Sequence, residues 1–133
     1  MNDLDYAVLL LEKAKEDLAA LGGMLIDTRF SDSIFGFHAQ QAVEKSLKAA
    51  ISACGIQYPL THSISELSKL LPDKDPIYLK AVDFKNLSTF AVTSRYPLPE
   101  LPSLEKSRSD LLEDVASFVE TVERFLESRS PAE

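Results

Sequence analysis

Cysteine, glycine, histidine and tryptophan are all scarce in this chain: one, four, two and none among 133 residues. A lone thiol, Cys54, forms no internal disulfide, which fits a reducing compartment. Following an apolar run and preceding Gly55, it is expected to be a buried, inert side chain. The two histidines, His38 and His62, are too few for a di-metal carboxylate bundle, and neither has a Glu three residues before it. No metal and no cofactor is therefore expected. Four glycines with no Gly-Lys-Ser/Thr exclude a phosphate-binding glycine loop. No apolar run approaches the roughly 20 residues of a membrane span. The opening Met1-Asn2-Asp3-Leu4-Asp5 is acidic where a secretory leader would be basic. These absences point to a soluble, cytoplasmic protein with no membrane partner.

The rest of the composition suits one globular domain over residues 1–133, with its core at about 4–129. The net charge of −7 is uneven. Residues 1–27 carry two basic and six acidic side chains, residues 99–133 four and nine, and residues 28–98 eight and six. Both termini would repel a polyanion, which excludes nonspecific duplex binding. The central segment leaves room for a small phosphate-bearing ligand or a local RNA contact.

Apolar spacing predicts helices throughout. The first runs from about Leu4 to Asp27, N-capped by Asn2 or Asp3, and Gly22-Gly23 is placed to end or bend it. The second spans about Asp32–Ala53, capped by Ser31 or Asp32 and stopped by Gly55. Its apolar arc exceeds half the circumference, as suits either the central helix of the fold or an added subunit interface. Ser63-Ile64-Ser65-Glu66 matches a capping box for a short third helix, about 64–71, before Pro72. Asp75-Pro76 opens a fourth that reaches about Ser94, and Pro97, Pro99 and Pro102 make a stiff connection. The last helix is expected from Ser103, as N-cap, to about Arg129; Leu104, Leu111, Phe118 and Phe125 form a seam interrupted by Arg108. No segment alternates like a strand. The fold expected is all-α: an antiparallel up-and-down bundle of four long helices plus one short helix.

One narrow polar strip marks the otherwise apolar second helix. His38, Gln41, Lys45 and Lys48 fall within roughly one quadrant at 100° per residue. Such a strip reads either as a solvated helix face or as an anion groove, with the lysines as point charges and His38 and Gln41 as hydrogen-bonding groups. Two loop features join it as candidates: Thr61-His62, otherwise a loop cap, and Arg95-Tyr96, otherwise a helix-end cation and a packed ring.

The string His38-Ala39-Gln40-Gln41-Ala42-Val43-Glu44-Lys45-Ser46-Leu47-Lys48-Ala49, followed by Gly55, Pro59-x-Thr61-His62 and Ser94-Arg95-Tyr96-Pro97, resembles the HEPN domain family (higher eukaryotes and prokaryotes nucleotide-binding). The resemblance runs from about residue 5 to 127. It implies an up-and-down bundle that forms homodimers and pairs with a small nucleotidyltransferase encoded nearby, in toxin–antitoxin-type modules. Many family members are ribonucleases through an Arg followed by four to six residues and a His. Here no His follows Arg95, Arg29 and His38 lie too far apart, and the family's Thr-His-Asp-Leu reads Thr61-His62-Ser63-Ile64. Nuclease activity is therefore not carried over, and the chain is not expected to be an enzyme.

The expected function is a HEPN-like module that binds a nucleotide or nucleic-acid fragment, docks a small nucleotidyltransferase, or both. Its candidate ligand-binding residues are His38, Gln41, Lys45, Lys48, Thr61, His62, Arg95 and Tyr96. Two alternatives stand beside it: a ribonuclease with a non-standard dimeric site, and a purely structural dimerisation adaptor.

Overall fold

A computed structural model describes residues 2–93 and 102–129, and every regular element among them is helical. α1 spans Asp3–Met24, α2 Asp32–Ala53, α3 Ile64–Ser68, α4 Pro76–Ala81, α5 Ser88–Thr93 and α6 Arg108–Ser128. A 3-10 helix, Val82–Leu87, joins α4 to α5. The expected all-α bundle is present: α1, α2 and α6 are long limbs, the α4–α5 composite is the fourth, and α3 is the short helix.

Each long helix starts where a side chain can satisfy the free amides of its first turn. Asn2 and Asp5 form a reciprocal box at α1, with the Asp5 amide 2.8 Å from Asn2 Oδ1. Ser31 Oγ accepts from the Ile34 amide at α2, and Asp75 Oδ1 from the Ile77 amide at α4. At the last helix the cap is Ser107, whose Oγ accepts from the Asp110 amide at 3.1 Å. That choice moves the start four residues beyond the one expected from sequence, with Ser107 as cap in place of Ser103, and leaves Leu104 outside the helix, packed against the core.

Three further boundaries differ from expectation. α1 ends at Met24, one residue past Gly22-Gly23 and three short of Asp27, so the glycine pair does lie at its end, with buried Leu21 and Met24 tying that last turn into the core. α3 stops at Ser68 rather than residue 71. The fourth limb is α-helical only at its ends. Its buried residues Ala81, Phe84, Leu87 and Phe90 recur at intervals of three. A 3-10 helix, with three residues per turn, stacks them on one edge, whereas an α-helix would rotate each by roughly 60° from the last.

α2 packs against every other element. Phe35, Ala39, Ala42, Val43, Leu47, Ala49, Ala50 and Ile51 are fully buried inside the protomer. Its wide apolar arc is therefore that of a central helix. At Gly36 the Phe90 ring lies 2.5 Å from where a Cβ would sit, so only glycine admits that approach. Cys54, expected to be buried, is half-buried at the C-cap of α2, and Gly55 closes the helix with φ of 72°.

α6 runs antiparallel to α1, with Lys15 paired to Glu123 near one end and Arg108 reaching the end of α1 at the other. Arg108, the interruption in the apolar seam, is the first residue of α6. Its guanidinium donates to the carbonyls of Met24 (2.8 Å), Asp27 (3.4 Å) and Phe30 (2.6 Å), and to Asp32 Oδ1 (3.0 Å). It also lies over the Phe35 ring. One side chain thus holds together the end of α1, the connecting turn and the start of α2.

Candidate functional site

Antiparallel packing of α1 on α2 sets Asp17 opposite the middle of the polar strip. Asp17 is buried, and its carboxylate is shared: Oδ1 lies 2.9 Å from His38 Nδ1, and Oδ2 accepts from Lys45 Nζ at 2.7 Å. A turn further along, buried Glu44 is arranged in the same way. Its Oε2 accepts from Lys48 Nζ at 3.1 Å, and its Oε1 lies 3.0 Å from His62 Nδ1. Gln40, fully buried, donates from Nε2 to Glu44 Oε1 (2.8 Å) and to the His62 carbonyl (3.1 Å). Gln41 donates to Gln40 Oε1 at 2.8 Å.

The structure thus brings five of the eight expected residues, His38, Gln41, Lys45, Lys48 and His62, into one ledge along α2. The loop after α2 closes one end of it. Thr61 contributes indirectly: its Oγ1 accepts from the Ser63 amide, a turn that presents His62. Arg95 and Tyr96 lie outside the described residues.

The lysines are not the isolated point charges the sequence suggested, since each is held by a carboxylate. Those carboxylates, Asp17 and Glu44, and the bridging Gln40 are functional groups that helical spacing on α2 alone did not single out. A signal existed. Asp17 continues the register of buried Ala14, Leu21 and Met24 on α1, and Glu44 continues that of Gln40, Leu47 and Ile51 on α2. An acid at a core position is buried only with partners.

An ionised carboxylate can only accept, so each imidazole presents Nδ1–H to it. In the neutral ring that leaves Nε2 as a lone pair, and in the protonated ring Nε2 becomes a second donor. The His38 side chain keeps 31% of its surface and the His62 side chain 46%, so the outer edges of both rings reach solvent. Carboxylate-held imidazoles of this kind are fixed in orientation and tautomer. With both rings neutral, each cluster sums to zero charge; each protonation adds one positive charge.

Aromatic rings flank the row. The Phe37 ring meets His38 edge-on at 5.4 Å, and Lys48 Nζ lies 5.4 Å from the centre of the Tyr58 ring. Burial and a hydrogen bond to Tyr6 push the Tyr58 hydroxyl up to about 12. Among the described residues no group of three His, Cys, Asp or Glu side chains is placed to hold a metal ion. A cavity of about 240 Å³ opens elsewhere, between the 3-10 helix and the start of α6, over Phe84, Leu87, Phe90 and Phe118. None of the ledge residues lines it.

A family model described as HEPN domain matches residues 7–129. A protein of Methanocaldococcus jannaschii that carries the name "Putative toxin MJ1304" is 25% identical over 143 residues, covering 96% of this chain and 92% of that protein. No solved structure gives a significant match.

Proposed function

The chain belongs to the HEPN domain family, and from that premise we propose that it is the HEPN component of a toxin–antitoxin-type module. In this reading its α2 ledge binds a nucleotide or a short single-stranded nucleic-acid fragment, without catalysis, and it docks a small nucleotidyltransferase. The observation that carries the ligand half is the row His38, Gln41, Lys45 and Lys48, in which two buried carboxylates hold the imidazole and the lysines, Gln40 holds Gln41, and Phe37 and Tyr58 flank the whole. Cationic donors beside aromatic rings are the combination that tracks phosphates and stacks bases on a single strand. The outer carboxylates of α1 and α6, among them Asp5, Glu12, Glu16, Glu113, Glu120 and Glu127, are exposed and would repel the same strand elsewhere. The name borne by the archaeal relative, together with the family's pairing habit, supports the module and its partner.

Isothermal titration with ATP, GTP and a single-stranded RNA hexamer tests the ligand half. Two lysines give the RNA a log–log salt slope no steeper than about −1.4, and Lys45→Ala with Lys48→Ala flattens it. Absence of heat, with no chemical-shift change at Lys45 or Lys48, refutes the ligand half. For the partner, co-expression with the product of a neighbouring gene should give a co-eluting complex if that gene encodes a nucleotidyltransferase.

The Asp17–His38 geometry favours a second reading, a ribonuclease in which the Nε2 of His38 serves as a general base. It predicts metal-independent RNA cleavage that disappears in His38→Ala; cleavage that survives the substitution rejects it. A purely structural dimerisation adaptor has less support, because the apolar arc of α2 that suggested it is covered within the protomer. If the chain forms a homodimer, it uses other surfaces.

A further inference from the structure

Both histidines of the chain are used in the same way. Each gives Nδ1 to a buried carboxylate that also holds a lysine: Asp17 takes Lys45 and His38, and Glu44 takes Lys48 and His62. Each carboxylate therefore carries one permanent cation and one switchable one. The two carboxylates come from different helices and the two imidazoles from a helix and a loop, so the repetition is not a by-product of one local motif.

From this duplication we propose that anion binding on the α2 ledge is gated by proton uptake at its two imidazoles. The inference rests on the ledge being the ligand site. With neutral rings each lysine is cancelled by its carboxylate, and the outward Nε2 of His38 is a lone pair that repels a phosphate oxygen. Taking up a proton changes two things at once. The cluster gains a unit charge, and Nε2–H becomes a donor directed outward beside Lys45. The charged groups around His38, among the described residues, are Asp17 from α1 and Lys45 on α2, and the charged groups joined to His62 are Glu44 and, through it, Lys48, both on α2. Among these side-chain types the imidazole is the one whose charge chemistry falls between about pH 5 and 8. The ledge is then a phosphate site that fills on acidification and empties as pH rises. By linkage, a bound phosphate raises the proton affinity of the rings by the same factor.

The test measures binding of a single-stranded RNA hexamer and, separately, of inorganic pyrophosphate between about pH 8 and pH 5.5. Affinity is expected to rise by about tenfold for each imidazole engaged, the size of effect that a unit charge exerts at a few ångströms near a protein surface. Titration of the RNA hexamer, whose phosphodiesters keep their charge across this range, in buffers of different ionisation enthalpy reads the proton uptake directly. His38→Asn, which keeps a donor for Asp17 but cannot take a proton, should lose one step of the pH dependence, and His38→Asn with His62→Asn should lose both. Imidazole resonances of the wild-type protein, followed by NMR with and without pyrophosphate, give the same answer without any variant. They should titrate at higher pH when the anion is present. Binding that is lost in Lys45→Ala and Lys48→Ala yet independent of pH would overturn the gating and leave the ligand site standing. No binding at any pH would overturn both.

Discussion

Replacing Arg108 with alanine tests how one cation organises this bundle. α1 ends without a basic residue in its last turn, so its final carbonyls need a donor from outside the helix. Arg108 supplies it, and its side chain keeps only 18% of its surface. The Met24 carbonyl belongs to a buried residue, and its bond is worth about 1.5–3 kcal/mol as a hydrogen bond to a charged donor. The Asp27 and Phe30 carbonyls and the Asp32 carboxylate sit on a wet turn and recover part of their loss from water, so together they add about 1 kcal/mol. The contact over Phe35 adds roughly 0.5–1 kcal/mol. Arg108→Ala should therefore cost about 3–5 kcal/mol, or a melting temperature lower by roughly 10–20 °C. Arg108→Lys keeps the charge but loses the fork, and should recover no more than about half. Urea denaturation followed by circular dichroism measures both. A loss below about 1 kcal/mol for Arg108→Ala, or a lysine variant as stable as wild type, would mean the fork geometry is incidental.

Gly36→Ala should cost about 1–3 kcal/mol by driving a methyl into the Phe90 ring; Phe90→Leu in the same chain should restore part of it, and simple additivity in thermal melts would count against a clash. Asp17→Asn should move two observables in opposite directions. It lowers stability by about 1–3 kcal/mol, as one oxygen must now serve both His38 and Lys45 and the countercharge is gone, yet tightens pyrophosphate binding because the ledge gains a positive charge, and weaker binding would contradict the charge count. Tyr58, pushed up to about 12 by burial and by Tyr6, stays protonated in the folded chain where an unfolded tyrosine ionises near 10. The unfolded state thus binds fewer protons across that interval, so stability should fall as pH rises from about 10 to 12. Urea midpoints in that range should show a decline that Tyr58→Phe removes.

The bounds of α2 could be read from the sequence because period and terminator agree there, with the cap narrowed to Ser31 or Asp32 and the serine taking it. α6 could not be placed as well, since Ser103 and Ser107 are both plausible caps and only packing against the end of α1, through Arg108, chooses between them. The 3-10 helix was hidden for a similar reason. Ile77, Phe84, Leu87 and Phe90 fit either helix type loosely, and the edge that must face α2 decides. At the site, the strip itself was legible because its four residues lie on one helix. His62 was a candidate from its loop motif, but the carboxylates that hold the strip were not, because Asp17 comes from α1 and Glu44 sits off the strip at a core position of α2. Arg108 looked like a flaw in a seam for the same reason: its acceptors are backbone carbonyls some eighty residues away in sequence.

Sites that bind ligands are commonly drawn from the parts of a protein that open most easily. The central position of α2 reverses that habit. Its amides can lose their hydrogen bonds only when every neighbouring element lets go, so their exchange with solvent deuterium should be among the slowest in the molecule. A ledge mounted on such a helix does not have to be ordered by its ligand, and little chain entropy is lost on binding. Whatever lands there meets a fixed template whose backbone is indifferent to occupancy, and any signal leaving the site must travel through its side chains and the His62 loop.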